Sequence, residues 1–97
     1  MRIDKIIKHY GKNNQIDKAI EELKELSDEL KKYKKAKSIE KELDIKENIL
    51  QESADVMLML TQLCRIFNFT QKDLFTMCEF KIDRTLKRIE KEKEGLK

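Results

Sequence analysis

Proline is absent from these 97 residues, and glycine occurs at only two positions. The chain therefore has few of the residues that break helices or form tight turns. Lysine, glutamate, leucine and isoleucine are abundant instead, a composition typical of long helices. The sequence predicts an all-α protein.

Cysteine and long apolar runs are also scarce. Cys64 and Cys78 form no CxxC pair, and both fall on apolar faces of predicted helices. We expect small buried hydrophobic residues in a reducing compartment, rather than a disulfide or a zinc site. The sequence has no signal-peptide pattern and no run of about 18 apolar residues. We therefore expect a soluble, cytoplasmic protein without a membrane partner.

Neither sign of charge is in large excess, and the net charge of +3 is too small to imply nucleic-acid binding by itself. Residues 1–97 form one small predicted domain with a core over about 14–90 and a charged, fraying tail over 91–97. Charged residues outnumber hydrophobic ones, so a monomer would have a thin core. We expect a homodimer or homotetramer that buries Val56–Leu60, a segment apolar on every side of a helix.

Four helices are predicted from the spacing of apolar residues. The first runs from Met1 to Tyr10 and ends at Gly11. The second runs from about Gln15 to Lys35, with Asn13-Asn14 as its turn and N-cap. We expect helices of this kind to pack as a helical bundle.

The second half of the chain predicts two further helices. Residues 36–44 are expected to form a loop or a broken helix, and Asp44 with Glu47 three residues later resembles a capping pair that starts the third helix. That helix continues to Phe67. Thr70 and Asp73 predict the cap of the fourth helix.

Two pairs of carboxylates are the candidate site. Glu52 and Asp55 lie three residues apart, close to one face of a helix that then becomes wholly apolar. The helix dipole favours acids in a first turn, but Asp55 is expected about three turns inside the helix. Glu22 and Glu25 repeat the spacing on the second helix, so antiparallel packing would bring four carboxylates together. Four oxygen donors without histidine or cysteine suit Mg²⁺, with Mn²⁺ as a possible substitute.

The motif EELKE at residues 21–25, followed by ESAD at residues 52–55, matches the EExxE…ExxD signature of the all-α nucleoside triphosphate pyrophosphohydrolases. The chain resembles a small MazG-like protein of that superfamily over roughly residues 14–90. The segment KIDR at residues 81–84 also resembles the K-[FL]-x-x-R segment of many MazG sequences. Two positions depart from the family pattern, because Gln62 and Glu79 stand where asparagine is common.

The resemblance implies Mg²⁺-dependent hydrolysis of a (deoxy)nucleoside triphosphate to the monophosphate and pyrophosphate. Glu22, Glu25, Glu52 and Asp55 would bind the metal, and Glu21, Glu22 and Glu25 are the candidate catalytic residues. Glu21 would orient water or belong to the surface, since it points about 100° away from Glu22 on the helix.

Cations are needed near a site that holds a triphosphate. Lys81 and Arg84 on the fourth helix, and Lys18 one turn before Glu22, are the candidate substrate-binding residues.

Two other functions fit the sequence. The chain could be a non-enzymatic oligomeric adaptor or nucleic-acid-associated module that uses the lysines of residues 31–37 and the fourth helix. That reading leaves Asp55 unexplained. The second alternative is a degenerate pyrophosphohydrolase that binds nucleotide without efficient turnover. Glu79 supports this hypothesis, because its charge would repel phosphate.

Overall fold

A computed structural model describes residues 2–95, and in this range the chain consists of four α-helices. They are α1 (Arg2–Tyr10), α2 (Lys12–Lys35), α3 (Ile39–Ile66) and α4 (Gln71–Gly95). The all-α prediction is confirmed. Met1, the predicted start of the first helix, lies outside the described residues, as do Leu96 and Lys97 of the predicted tail.

The junction between α1 and α2 is a single glycine. Gly11 has φ +92°, a backbone conformation in which L side chains are strained, and its N–H donates to Ile7 O at 2.8 Å. The prediction that α2 starts near Gln15 after an Asn13-Asn14 cap is wrong, because α2 begins at Lys12. Asn14 lies inside α2, where its Nδ2 donates to Tyr10 O at 2.7 Å.

The junction between α2 and α3 is shorter than predicted. Ser38 is the N-cap of α3, and its Oγ accepts a hydrogen bond from Lys41 N at 3.2 Å. Asp44, the predicted first residue of the helix, lies inside α3. The loop therefore occupies residues 36–38 rather than 36–44. Residues 39–43 carry no helix breaker, so the serine cap starts the helix before the Asp44–Glu47 pair can.

The junction between α3 and α4 confirms the predicted cap. Thr70 N donates to Asp73 Oδ2 at 2.9 Å, and Asp73 N donates to Thr70 Oγ1 at 3.0 Å, which is a reciprocal capping box. The helix α4 continues to Gly95, so residues 91–95 of the predicted charged tail are helical. The predicted fraying of that tail stays a prediction.

The helices α2 and α3 form an antiparallel pair, and α1 packs across both near one end. Among residues 2–95, the buried apolar residues are Ala19, Met59 and Cys64. Beside them, Gln15 Nε2 donates to Gln62 Oε1 at 2.6 Å in a buried pair. This packing surface is small for a chain of this length.

Burial within one chain covers only part of what the sequence predicts. The burial of Val56–Leu60 is predicted for an oligomer, so it stays a prediction. In the segment 56–60 only Met59 is buried, while Met57 is 71% exposed, because α3 has a packing partner on one face alone. Cys64 is buried as expected, but Cys78 is exposed on α4. Both thiols are free.

Candidate metal centre

The antiparallel pairing of α2 and α3 brings carboxylates from both helices together. Glu22 of α2 and Glu52 and Asp55 of α3 each offer an oxygen atom, and these atoms lie within 4.8 Å of one another. Such spacing is close enough for one cation to contact all three. Three of the four predicted metal ligands therefore converge.

These carboxylates differ in burial. Glu22 is only 7% exposed, Glu52 is half-buried and Asp55 is exposed. Glu22 Oε2 and Glu52 Oε2 are buried and have no hydrogen-bond partner. Such atoms are costly unless a ligand or ion satisfies them. The cluster is thus open to solvent on the Asp55 side and unsatisfied on the inside.

Lys18 is the cation that contacts the cluster. Its Nζ lies 3.2 Å from Glu22 Oε1 and 3.6 Å from Glu21 Oε2. The hydrogen bond to Glu22, followed by the charge of Glu21, raises the pKa of Lys18 above its ordinary value. One lysine cannot neutralise three carboxylates, so the cluster keeps an excess of negative charge.

Glu25, the fourth predicted ligand, lies at the edge of the cluster and is half-buried. Its ligand atoms are not within the 4.8 Å group. Partial removal from water, followed by the charges of Glu22 and Glu52, raises the pKa of its carboxyl group. Glu25 is therefore electrostatically part of the site.

Glu21 is placed differently from its neighbour Glu22. Its side chain is exposed and pairs with Lys18 on the outside of α2. This is the direction expected from a 100° step along a helix. Glu21 contacts the site through Lys18 rather than as a member of the cluster.

An open cleft of about 470 Å³ adjoins the carboxylates. Glu22, Asp55 and Lys18 line one part of it. The remaining lining comes from α1, the start of α2 and the end of α3: Ile6, Tyr10, Asn14, Gln15, Leu58, Met59 and Gln62. The cleft thus combines a charged part with apolar and amide side chains, and its volume is in the range of small-molecule sites.

Sequence reasoning missed one residue of the cleft and one half-buried acid further along α2. The sequence predicts Gln15 only as the start of α2, although it lines the cleft and donates a hydrogen bond to Gln62. Glu29 continues the row of acids one turn beyond Glu25, and its Oε2 is buried without a hydrogen-bond partner while its Oε1 pairs with Lys32 at 3.1 Å. The i,i+4 spacing from Glu25 is the signal that could have found it.

The predicted phosphate-binding residues of α4 do not reach this site within one chain. Lys81 and Arg84 line a groove formed by α4 residues alone. No described residue of α4 is buried, and none lines the cleft beside the carboxylates. Lys18 is the one predicted substrate-binding residue at the site.

A scan against protein-family models, a search of curated proteins and a search of solved structures all find no match to this chain. The chain is therefore classified by its structure alone, as an all-α chain with a carboxylate cluster between two antiparallel helices. The structure describes no helix that is both long and apolar enough to cross a membrane.

Proposed function

We propose that the chain hydrolyses (deoxy)nucleoside triphosphates to the monophosphate and pyrophosphate in a Mg²⁺-dependent reaction. The observation that carries this proposal is the convergence of Glu22, Glu52 and Asp55 beside an open cleft. The MazG-like sequence pattern supports the same reaction and supplies the substrate class.

The residues present fit a hard divalent cation. All three converging donors are carboxylates, which Mg²⁺ and Mn²⁺ prefer over softer ligands. The unpartnered oxygens of Glu22 and Glu52 are the second argument, because an inward-facing orphan carboxylate oxygen is costly without a cation. Glu22, Glu52 and Asp55 would hold the ion, with Glu25 at the edge.

A bound Mg²⁺ would neutralise phosphate oxygens and lower the pKa of a nearby water. The chain's own groups supply the rest of the chemistry. A water oxygen forms a bond to phosphorus, the α–β anhydride bond breaks, and pyrophosphate leaves. The proton of that water needs an acceptor, and Glu25 is the candidate because it lies at the edge of the cluster rather than among the three converging carboxylates.

The cleft offers positions for the other parts of a nucleotide. Lys18 lies at its charged end and would contact phosphate. Tyr10 and Leu58 supply apolar surface for a base, and the amides of Asn14 and Gln15 can hydrogen-bond to it. Lys81 and Arg84 remain candidates from sequence, and they would have to come from another copy of the chain.

The experiment is an assay of pyrophosphate release from a panel of ribo- and deoxyribonucleoside triphosphates, with Mg²⁺ and with chelator. We expect Mg²⁺-dependent release that Glu52→Gln abolishes. Glu47→Gln is the matched control, since Glu47 is an exposed carboxylate of the same helix outside the cluster, and it should retain activity. Folded wild-type protein that is silent on the whole panel would contradict the proposal.

A binding module is the second candidate, and the exposure of α4 favours it. This helix of 25 residues buries no side chain and carries both apolar residues and cations, so it has surface for a partner. An adaptor has no need of the carboxylate cluster. Stabilisation by Mg²⁺ would favour either metal-binding function over the adaptor, and turnover would then distinguish an enzyme from a nucleotide binder.

A further inference from the structure

The helix α4 carries an apolar stripe that no other part of the described chain covers. Its members are exposed and recur at helical spacing along one side of the helix: Leu74, Phe75, Cys78, Ile82, Leu86 and Ile89. Contiguous apolar surface of this kind marks an interaction site rather than ordinary solvent-facing helix. Some surface must therefore pack on α4.

The helix α3 carries a second such stripe, on the side away from α2. Its exposed members are Ile39, Leu43, Leu50, Met57 and Leu60. Three of them, 43, 50 and 57, are separated by seven residues, which is the spacing of a coiled-coil seam. Met59, two residues after Met57, points about 200° away from it and is buried. The helix α3 is thus apolar on two opposite sides, and only one is covered.

Local hydrogen bonds fix the corner between these two helices. Asn68 has φ +59°, Phe69 N donates to Cys64 O at 2.8 Å, and Asn68 N donates to Arg65 O at 3.4 Å. This is the Schellman arrangement that ends a helix with a left-handed residue. The capping box of Thr70 and Asp73 follows at once. The direction of α4 is set by these bonds, so folding α4 back onto its own α3 would break them.

The exposed area is the size that an obligate dimer buries. The chain exposes 8634 Å², whereas a folded monomer of 11.6 kDa exposes about 5,800 Å² on average. The excess is about 2,800 Å² per chain, or about 5,600 Å² for two chains, which is at the upper end of the range of large permanent interfaces. The radius of gyration of 17.8 Å also exceeds the roughly 12.5 Å expected for a compact chain of this length.

The charges of the two helices are complementary in one orientation. Apart from Glu52 and Asp55, which belong to the cluster on the α2 side, residues 39–55 of α3 contain four acids and two lysines. Residues 80–93 of α4 contain six basic residues and three acids. Opposite charges meet when the C-terminal half of α4 lies along the N-terminal half of α3, which is an antiparallel pairing.

We infer that two copies of this chain form a reciprocal dimer, in which the α4 stripe of each copy packs antiparallel on the outward α3 stripe of the other. The partner is a second copy because both uncovered stripes lie on the same chain, both are apolar, and the charges of the two helices are complementary in an antiparallel orientation. Each copy thereby covers the surface that the other exposes. This inference does not depend on the proposed catalytic activity.

The test is the mass in solution of the full chain and of paired variants, measured by light scattering. We expect about 23 kDa for the wild type, twice the 11.6 kDa of the chain. Ile82→Glu in the α4 stripe and Leu50→Glu in the α3 stripe should each halve the mass. Thr76→Glu and Gln51→Glu are the matched controls on other faces of the same helices, and both should remain dimeric. Circular dichroism checks that all four variants stay helical.

Mixing the two disrupted variants distinguishes reciprocal packing from packing of like helices. A heterodimer of Ile82→Glu with Leu50→Glu keeps one intact α4–α3 contact, so the mixture should regain dimer. Pairing of α3 with α3 and of α4 with α4 would place a glutamate in both contacts, and the mixture would stay monomeric. A monomeric wild type, a dimer that survives either stripe variant, or a mixture without dimer would each overturn the inference.

Discussion

At the scale of single residues, the carboxylate cluster makes opposing contributions to stability and to metal binding. Glu22, Glu52 and Asp55 crowd negative charge into a space of 4.8 Å, and two of their oxygens are buried without a partner. Like charges at such distances repel. The free protein is therefore less stable than it would be with a neutral side chain in the cluster.

Glu52→Gln should consequently stabilise the metal-free protein. Removing one of the crowded charges is expected to contribute about 1 kcal/mol to the free energy of unfolding, measured by urea denaturation in chelator. Glu47→Gln removes an exposed charge outside the cluster and should change the stability by less than about 0.5 kcal/mol. If Glu52→Gln destabilised the metal-free protein more than Glu47→Gln does, the Glu52 carboxylate would have a favourable partner there, and the account of a crowded, unpaired charge would be wrong.

The raised pKa of Glu25 predicts that the stability of the protein falls as pH rises. An acid paired with a cation would have the opposite effect. In the folded chain, partial burial and the charges of Glu22 and Glu52 hold the proton on Glu25 at a pH where the unfolded chain has lost it. The folded state then binds more protons, so stability falls as pH rises above the ordinary value of 4.5 and through the folded pKa.

Urea denaturation in chelator across the acidic range would measure this decline. Glu25→Gln removes the titrating group and should flatten that part of the profile. Mg²⁺ should offset the decline in the wild type, because a cation favours the charged carboxylates. A Glu25→Gln profile that matches the wild type would assign the decline to another group.

At the scale of helices, the start of a helix could be predicted where the sequence offers a single capping pattern. Thr70 and Asp73 were predicted to cap α4 and do so, since both partners lie within three residues of each other. Ser38 was missed because Asp44 and Glu47 show the same kind of capping pattern a few residues later. Which of two competing caps starts a helix depends on the helix-forming residues between them, and 39–43 extend α3 back to Ser38.

Gly11 is the junction where backbone conformation matters most. Gly11→Ala should destabilise the chain by about 1–3 kcal/mol, because φ +92° with ψ 152° lies in a backbone region that essentially only glycine adopts. A Cβ there would meet no atom within 4 Å, so the cost arises from the backbone alone. The expected fall in melting temperature is roughly 4–24 °C for a domain of this size.

Gly95→Ala is the control for that measurement. Gly95 lies at the end of α4, has open space around its position for a Cβ, and shows no positive φ. Its replacement should leave the melting temperature unchanged or slightly higher, since alanine favours helix. Equal effects of the two substitutions would contradict a role for the positive φ of Gly11.

At the scale of the whole molecule, the sequence predicted the convergence of Glu22, Glu52 and Asp55 but not the position of α4. The convergence follows because each helix carries acids three residues apart, and because two helices joined by a short connection pack antiparallel. The placement of Lys81 and Arg84 depends on the corner at Asn68 and on what covers α4, and periodicity does not encode either. The same absence of cover explains why Met57 and Cys78 are exposed in one chain.

A reciprocal dimer predicts that thermal stability depends on protein concentration. Because α4 has no packing partner within its own chain, dimerisation and folding are linked by mass action. The melting temperature of the wild type should rise with protein concentration over a hundredfold range, and that of Ile82→Glu should not. A melting temperature of the wild type that is independent of concentration would argue for a monomer.

The most direct test of the metal centre is thermal unfolding with Mg²⁺ and with chelator, in the wild type, Asp55→Asn and Glu47→Gln. Binding to the folded state alone stabilises a protein by about 2.7 kcal/mol when the ligand is present at a hundred times its dissociation constant. We predict that Mg²⁺ raises the melting temperature of the wild type and of Glu47→Gln, and that the rise is lost in Asp55→Asn. An unchanged rise in Asp55→Asn would show that the ion does not bind at the cluster of Glu22, Glu52 and Asp55.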